Sequence, residues 1–408
     1  MALEAKPNTG RWTVKTFPMG SGTQILFRLC LAFLAVLAAC SDPASSPTTG
    51  PTLPTADAPA TTEPVASTAP PITTSTTSLP PVPPPMVSPD PDQEGVAAPL
   101  WDDTGYGEEP YAQLLVEIAE LGAEWVSIVP TWYQDSPTDS DLYPEVSGRT
   151  TTDEALVTAM RSARELGLSV MLKPHVDLVD GGSRLDIAPE DEAAWFKAYE
   201  EMILHYASIA AAEHADQFVV GTELAGTLHA EEEWRRIIGE VRAVYDGPLT
   251  YAANHDSYED VPFWDALDLI GIDAYFPLAD EPTTDVNRLT ESWEAIGKRI
   301  GDLAARLGRQ VVLTEVGYPS QQGAVTRPFD PHVSSAVSVE EQDAALRAML
   351  GALDDESWFA GFHWWMWFDE RTAEQQELGY TPKGKPAGDT LRERWSGRTD
   401  AAASDPVR

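Results

Sequence analysis

The sequence predicts an α/β fold consisting of a single (β/α)8 TIM barrel. Three observations support this prediction. Short β-rich runs alternate with amphipathic runs of helical length, which indicates a parallel sheet. Eight such strand-like runs occur within about 300 residues, as expected for a (β/α)8 barrel. Several helical runs end at a glycine that is followed at once by a strand-like run.

The strand-like runs are rich in apolar, β-branched and aromatic residues, as expected for buried parallel strands. They span residues 96–101, 125–130, 169–175, 217–223, 249–254, 269–275, 310–315 and 361–367. An open, doubly wound sheet is the alternative arrangement. It is disfavoured because no glycine-rich phosphate-binding turn follows the first strand.

The helical runs between these strands carry apolar residues at helical spacing. The clearest span residues 109–121, 152–166, 193–214, 231–244, 288–307 and 340–353. The glycine stops are Gly122, Gly167 and Gly308. No internal repeat of fixed short period is present.

Residues 1–39 are predicted to be a lipoprotein signal peptide. Arg28 supplies a basic flank, and the apolar run 29–39 is too short to span a bilayer as a helix. The run ends Leu-Ala-Ala-Cys at Cys40, which resembles a bacterial lipobox, so Cys40 is expected to be lipidated. An ordinary signal peptide that happens to end in cysteine is the alternative. Translation could start at Met1 or at Met19.

A proline-, threonine- and serine-rich segment follows over residues 40–94 and holds no Lys or Arg. Such a composition cannot bury enough apolar surface to fold, so a disordered, extended tether is expected. The folded barrel domain is predicted over residues 95–396 and a disordered tail over 397–408. The protein is therefore expected at the extracellular face of the cell membrane, attached through its lipid alone, and as a monomer.

The charge balance excludes two classes of partner. The chain has 27 Lys and Arg against 65 Asp and Glu, a formal net charge of −38. A protein that binds nucleic acids or anionic lipid surfaces needs a basic patch, so neither is an expected partner of this acidic chain. Apart from Cys40, Cys30 is the sole cysteine and lies within the signal, so neither a disulfide nor a thiolate metal site is expected in the domain.

Two glutamates mark the candidate active site. Glu223 ends the fourth strand-like run and Glu315 ends the seventh, and each is the only charge in its run. Barrel enzymes place their chemistry at the carboxyl ends of the strands. Hydrolysis of a glycosidic bond needs one carboxyl group to protonate the leaving oxygen and a second, ionised one to attack carbon or activate water. The pair therefore predicts a glycoside hydrolase, although either residue alone could be a satisfied buried glutamate.

The motifs around this pair resemble glycoside hydrolase family 113, over about residues 95–395. The matching segments are 128–133, 173–177, 221–224, 273–278, 314–318 and 364–367. This resemblance implies a retaining enzyme that cleaves β-1,4-mannan, glucomannan or manno-oligosaccharides. By position, it implies that Glu223 is the acid/base and that Glu315 is the nucleophile.

One residue departs from the wider clan of this family, in which asparagine often precedes the acid/base and holds the sugar 2-hydroxyl. Here the residue is Thr222. The contact with the sugar 2-hydroxyl must therefore differ from the one that asparagine makes in the wider clan. Such a difference is compatible with the axial 2-hydroxyl of mannose.

Other residues near the strand ends are predicted to bind the substrate, since aromatic side chains stack on the apolar faces of sugar rings. They are Trp101, Trp132, Tyr133, His175, Asp177, Thr222, Asn254, His255, Tyr275, Trp365 and Trp367. Tyr275 is expected to reach the nucleophile, and Trp365 is favoured as the stacking platform at the cleavage subsite. Lys173 lies deeper in the barrel and is expected to pair with an Asp or Glu. The segment 320–338 is expected to wall one end of the cleft.

No cofactor and no metal are predicted. The acidic loop with Asp135, Asp139 and Asp141 lacks the glycine and glutamate of a calcium loop, and the seven histidines form no HExxH motif. Two alternative functions remain. The same barrel could act on another β-linked glycan, such as a glucan, galactan or cell-wall glycan, or the chain could be a lipoprotein that binds sugar without cutting it.

Overall fold

The computed structural model describes residues 93–145, 148–367 and 373–404. The predicted signal peptide, Cys40 and nearly all of the predicted tether lie outside these residues. Within the described part of the chain, no helix is both long enough and apolar enough to cross a membrane.

The described residues contain ten strands in chain order: β1 Gln93–Ala97, β2 Trp125–Ile128, β3 Thr131–Gln134, β4 Ser169–Leu172, β5 His175–Leu178, β6 Gln217–Thr222, β7 Leu249–Asn254, β8 Ile270–Asp273, β9 Val311–Val316 and β10 Phe359–Trp365. Eight of them close a barrel in the order β1-β10-β9-β8-β7-β6-β4-β2. Every pairing in this barrel is parallel. The predicted (β/α)8 barrel is confirmed, and the open doubly wound sheet is excluded.

Helices connect the strands and cover the barrel. They are α1 Glu109–Leu121, α2 Asp153–Glu165, α3 Glu192–Ala212, α4 Glu231–Val244, α5 Val286–Leu307, α6 Val339–Leu353, α7 Ala373–Leu378 and α8 Pro386–Ser404. Between β7 and β8 the chain forms two short 3-10 turns, Tyr258–Asp260 and Trp264–Ala266, in place of an α-helix. The side chains of Thr152, Asp191, Asp285 and Ser338 accept backbone hydrogen bonds at helix starts.

The third predicted strand, 169–175, divides into two. It leaves the barrel after Leu172 because Pro174 has no amide hydrogen to donate to a neighbouring strand. The chain then resumes as β5, which pairs in parallel with β3 in a small second sheet. This sheet extends the structure beyond the carboxyl ends of β2 and β4, and it carries Trp132, Tyr133, His175 and Asp177.

Most of the core lies between the barrel and its helices, where alternate strand residues such as Val126, Val170 and Phe218 pack on helix side chains. The other strand face points into the barrel. A small apolar cluster, Trp125, Met171, Val219 and Ala252, comes from four neighbouring strands on that face. The barrel interior is therefore filled with side chains and supports the rim from below.

The described strands and helices begin at Gln93 and end at Ser404. Strand β1 begins at Gln93, where Gln93 pairs with Gly361, instead of at residue 95. Helix α8 reaches Ser404, beyond the predicted end of the domain at residue 396. Residues 397–404 are the last eight residues of α8, and the buried residues Leu391 and Trp395 earlier in this helix pack in the core.

Candidate active site

Glu315 lies near the end of β9 and is 3% exposed. The Tyr275 hydroxyl donates a hydrogen bond of 2.6 Å to Glu315 Oε2, and the Lys173 ammonium contacts Oε1. In both contacts a Glu315 oxygen is the acceptor. Burial, with Glu315 as the next cause, raises the pKa of Tyr275 well above its usual range, so the hydroxyl keeps the proton that it donates. The predicted contact between Tyr275 and Glu315 is present.

Lys173 also pairs with Asp273, the last residue of β8. Its Nζ lies 3.0 and 3.1 Å from the two Asp273 oxygens, and the Thr314 hydroxyl donates to Oδ1 at 2.7 Å. Lys173 and Asp273 are fully buried. Burial, followed by the charge of Glu315, raises the pKa of Asp273 well above its usual range, while Lys173 opposes this rise. The predicted pairing of Lys173 with an acidic residue is confirmed, and Lys173 joins Asp273 to Glu315.

Glu223 follows directly after β6, and its backbone adopts a φ of 55°. A residue with a side chain seldom occupies this left-handed region, and such strain is concentrated at functional sites. Two hydrogen bonds hold the turn, from Glu223 N to Ala252 O at 2.8 Å and from Leu224 N to the Tyr251 hydroxyl at 2.8 Å. The turn directs a carboxyl group whose side chain is 15% exposed at the rim of the barrel.

Arg184 contacts both Glu223 and Asp177. Its Nη1 lies 3.3 Å from Glu223 Oε2, and its Nη2 contacts Asp177 Oδ1. The indole of Trp101 donates to the other Asp177 oxygen at 3.1 Å. The sequence predictions included Asp177 and Trp101 and missed Arg184, which lies in a short 3-10 turn of the loop after β5. Its position in a loop at the carboxyl ends of the strands is the signal that could have identified it.

The two rim glutamates have different electrostatic surroundings. Burial raises the pKa of Glu223, the Arg184 charge lowers it, and the nearby negative charge of Glu315 raises it again, with a net upward shift. Glu315 instead accepts a hydrogen bond and contacts an ammonium group. Glu223 is therefore suited to hold a proton, whereas Glu315 is held in place by a hydroxyl and an ammonium group.

His175 and two tryptophans form one wall of the site. The His175 ring stacks on Trp365 with centroids 6.2 Å apart and planes 18° apart, and Trp101 meets Trp365 edge-on at 6.5 Å. His175 Nε2 lies 3.7 Å from Glu315 Oε1. Burial, together with the charges of Arg184 and Lys173, holds the pKa of His175 well below its usual range, so the ring is neutral. Trp101 and Trp365 are partly exposed at this wall, as a stacking platform requires.

Several predicted substrate-binding residues lie in other environments. Trp367 is 4% exposed and belongs to the main core, so the prediction that it binds sugar is not supported. Tyr133 is fully buried beneath the Arg149 guanidinium, and Trp132 packs edge-on against Tyr206. The buried Thr222 hydroxyl donates to Pro174 O at 3.3 Å. Strand β10 ends at Trp365, so the alternation of side chains along the strand does not extend to Trp367.

Asn254 and His255 lie at the end of β7 and just beyond it. The Asn254 amide donates to Asp256 Oδ1 at 2.7 Å, and its Oδ1 lies 3.0 Å from His255 Nδ1. The His255 ring stacks on Phe329. Among the described residues, no group of three or more His, Cys, Asp or Glu side chains is arranged to hold a metal ion.

Comparisons with known proteins show which family the chain resembles. The model of Glycoside Hydrolase Family 113 matches residues 102–385. Two solved structures of a GH113 β-1,4-mannanase, one of them a complex, are 27% and 28% identical to the chain, each with a TM-score of 0.68 and each covering 75% of this chain and all of the other. The GH113 β-mannanase AaManA from Alicyclobacillus acidocaldarius, in complex with ManMIm, is 31% identical with a TM-score of 0.67, over 74% of this chain and 96% of its own. Among curated proteins, none matches the chain.

Proposed function

Because the chain belongs to glycoside hydrolase family 113, we propose that this hydrolase cleaves β-1,4-mannosidic bonds with retention of configuration. Its substrates would be mannan, glucomannan or manno-oligosaccharides. The mannoside assignment rests on the similar solved structures, which are β-mannanases at 27–31% identity.

One observation carries the proposed mechanism: the two rim carboxyl groups lie in different surroundings, since Glu223 has a raised pKa and Glu315 is bound by a hydroxyl and an ammonium group. The raised pKa of Glu223 suits a general acid at neutral pH. The hydroxyl and ammonium groups at Glu315 hold its oxygens in one orientation, as a nucleophile requires.

In the first step, Glu223 would give its proton to the glycosidic oxygen while Glu315 attacks the anomeric carbon. The bond to the leaving sugar breaks, and a glycosyl ester of Glu315 forms. In the second step, ionised Glu223 would take a proton from a water molecule that attacks the same carbon and releases Glu315. Trp365 and Trp101 would support the sugar ring at the cleavage point by stacking.

The test compares wild type with Glu223→Ala and Glu315→Ala on mannohexaose and on an aryl β-mannoside. We expect Glu223→Ala to lower kcat on mannohexaose by about 10²–10⁴-fold, which is the usual contribution of a general acid. The loss should be smaller on the aryl β-mannoside, because its leaving group needs little protonation. Glu315→Ala should lose activity on both substrates.

Added azide distinguishes the two roles. It should form a β-glycosyl azide with Glu223→Ala, by attack on the glycosyl enzyme, and an α-glycosyl azide with Glu315→Ala, by direct displacement. Glu120→Ala, which removes an exposed glutamate on α1, is the matched control and should retain wild-type activity. Wild-type rates in both rim variants would refute the assignment.

Two other outcomes would change the proposal. Activity on aryl glucosides or galactosides, with none on mannosides, would keep the mechanism and replace the sugar. Tight binding of mannohexaose by calorimetry, with no product over hours, would indicate a sugar-binding lipoprotein instead of an enzyme.

A further inference from the structure

We propose that Phe329 is a stacking platform for a sugar unit of the substrate that lies far from the cleaved bond. This inference rests on the proposed function, because it takes the ligand to be the same β-linked glycan. Phe329 lies in the long segment between β9 and α6, and its side chain is 51% exposed. Single exposed apolar side chains are common on protein surfaces, so its support and its position carry the argument.

The ring of Phe329 is held in one orientation. It stacks on the His255 imidazole with centroids 5.7 Å apart and planes 12° apart. His255 in turn meets Phe276 edge-on at 5.5 Å. One face of the Phe329 ring is therefore supported by the protein, and much of the remaining ring is open to solvent.

The segment that carries Phe329 is fixed by hydrogen bonds on both sides of it. The Tyr380 hydroxyl donates to Pro328 O at 2.6 Å, and Gln321 Nε2 donates to Pro331 O at 2.7 Å. Earlier in the same segment, Val325 O accepts a hydrogen bond of 2.7 Å from Leu278 N, which joins this segment to the one after β8. A glycan that stacked on Phe329 would therefore lose little free energy in ordering the loop.

A short series of contacts joins this ring to the nucleophile. Tyr380, which holds Pro328, packs edge-on against Tyr275 with centroids 6.3 Å apart. Tyr275 donates its hydrogen bond to Glu315. His255 follows β7, so the platform stands at the same end of the barrel as the two rim glutamates.

The ligand that fits this feature is a pyranose ring. Each sugar unit of a β-1,4-linked chain presents an apolar face of C–H groups that can stack on an aromatic ring. Phe329 has no polar group on its ring, so it would contact the sugar without selecting particular hydroxyl groups. The platform would therefore contribute to the binding of long chains and not to the choice of sugar at the cleaved bond.

The experiment measures kcat/KM for mannohexaose and for an aryl β-mannoside, which is too short to occupy a remote subsite. We expect Phe329→Ala to lower the ratio of these two values about three- to tenfold, the effect of one lost stacking contact. Phe329→Trp should restore the ratio. Val337→Ala is the matched control, since Val337 is an equally exposed apolar residue of the same segment, and it should keep the wild-type ratio.

A second measurement is the retardation of Glu315→Ala in gels that contain glucomannan, with and without Phe329→Ala. Reduced retardation with Phe329→Ala would support the platform. An unchanged ratio, or equal losses on both substrates, would overturn it. A wild type inactive on mannosides would instead refute the proposed function, and the same long-to-short ratio measured on the glycan that is cleaved would then decide the role of Phe329.

Discussion

Glu223 combines a left-handed backbone with a carboxyl group beside an arginine. The φ of 55° costs stability, on the order of 1–3 kcal/mol for a residue in this region. Arg184 contacts the carboxyl group and lowers its pKa against the effect of burial. The pKa of the proposed acid/base therefore depends on a loop residue as well as on its burial at the end of β6.

This balance predicts the pH dependence of an Arg184→Met variant. Without the positive charge, the pKa of Glu223 should rise further, since Asp177 and Glu315 both act to raise it. The proposed acid must be protonated to begin the reaction, so activity falls as pH rises through this pKa. We therefore expect the alkaline limb of the kcat/KM profile to move to higher pH.

The control is Arg161→Met, which removes an arginine paired with Glu213 on the surface, where it is 65% exposed. Its profile should match that of the wild type, because solvent and salt screen exposed charges. An alkaline limb of Arg184→Met that stayed in place or moved to lower pH would show that Arg184 does not tune the acid.

Helix ends set where the strands begin. Two helix ends have the same left-handed backbone geometry but different residues. Helix α5 is followed by Gly308 with a φ of 64°, and helix α3 ends before His214 with a φ of 57°. At each end a backbone hydrogen bond closes the turn, from Arg309 N to Ala304 O and from Ala215 N to Ala210 O. Glycine adopts this conformation without strain, whereas histidine does not.

His214→Gly should therefore raise the free energy of unfolding by about 0.5–1 kcal/mol, and Gly308→Ala should lower it by about 1 kcal/mol. A Cβ atom at Gly308 would meet no heavy atom within 4 Å, so backbone conformation alone sets its cost. His214 is exposed, and its carbonyl, which accepts a hydrogen bond from Arg164, is kept in the variant. Urea denaturation measures both changes.

Gly239→Ala is the control for the two substitutions at these helix ends. Gly239 is an exposed residue inside α4, and a Cβ atom there also meets nothing within 4 Å. The same substitution should raise stability by about 0.5–1 kcal/mol in this position, because alanine favours the helix. Equal signs for Gly239→Ala and Gly308→Ala would contradict the role assigned to the left-handed conformation.

At the scale of the whole molecule, we propose that the barrel works outside the cell on a lipid anchor. The lipobox at Cys40, the proline-rich segment after it and the excess of acidic residues support this proposal. Removal of residues 1–39 would take away four basic residues and one acidic residue, which leaves the processed chain still more acidic. A polymeric glycan is too large to be imported whole, so an enzyme on the outer face would meet its substrate there.

The anchor is tested by palmitate labelling in a bacterial host. Wild type should carry the label and sediment with membranes, since acyl chains provide stable attachment. Cys40→Ala should lose the label. Cys30→Ala removes the other cysteine of the chain and should keep it. A labelled Cys40→Ala protein, or an unlabelled wild type, would refute the proposal.

The sequence determined the order of strands and helices, and with it the barrel. The patterns that carry this information are local, since strand and helix periodicity are set by neighbouring residues. The bounds of β7, α1 and α4 match their predicted ranges. Glu223 and Glu315 could be identified in the same way, because a single charge at the end of an apolar strand stands out without knowledge of any partner.

Only the tertiary structure decided which distant side chains meet. Lys173 joins Asp273 to Glu315 across three barrel strands, and Arg184 reaches Glu223 from a loop that has no periodicity of its own. The break at Pro174 and the end of β10 at Trp365 changed which aromatic residues face the site. These features depend on how strands end and how loops fold over them, and neither is encoded in a local repeat.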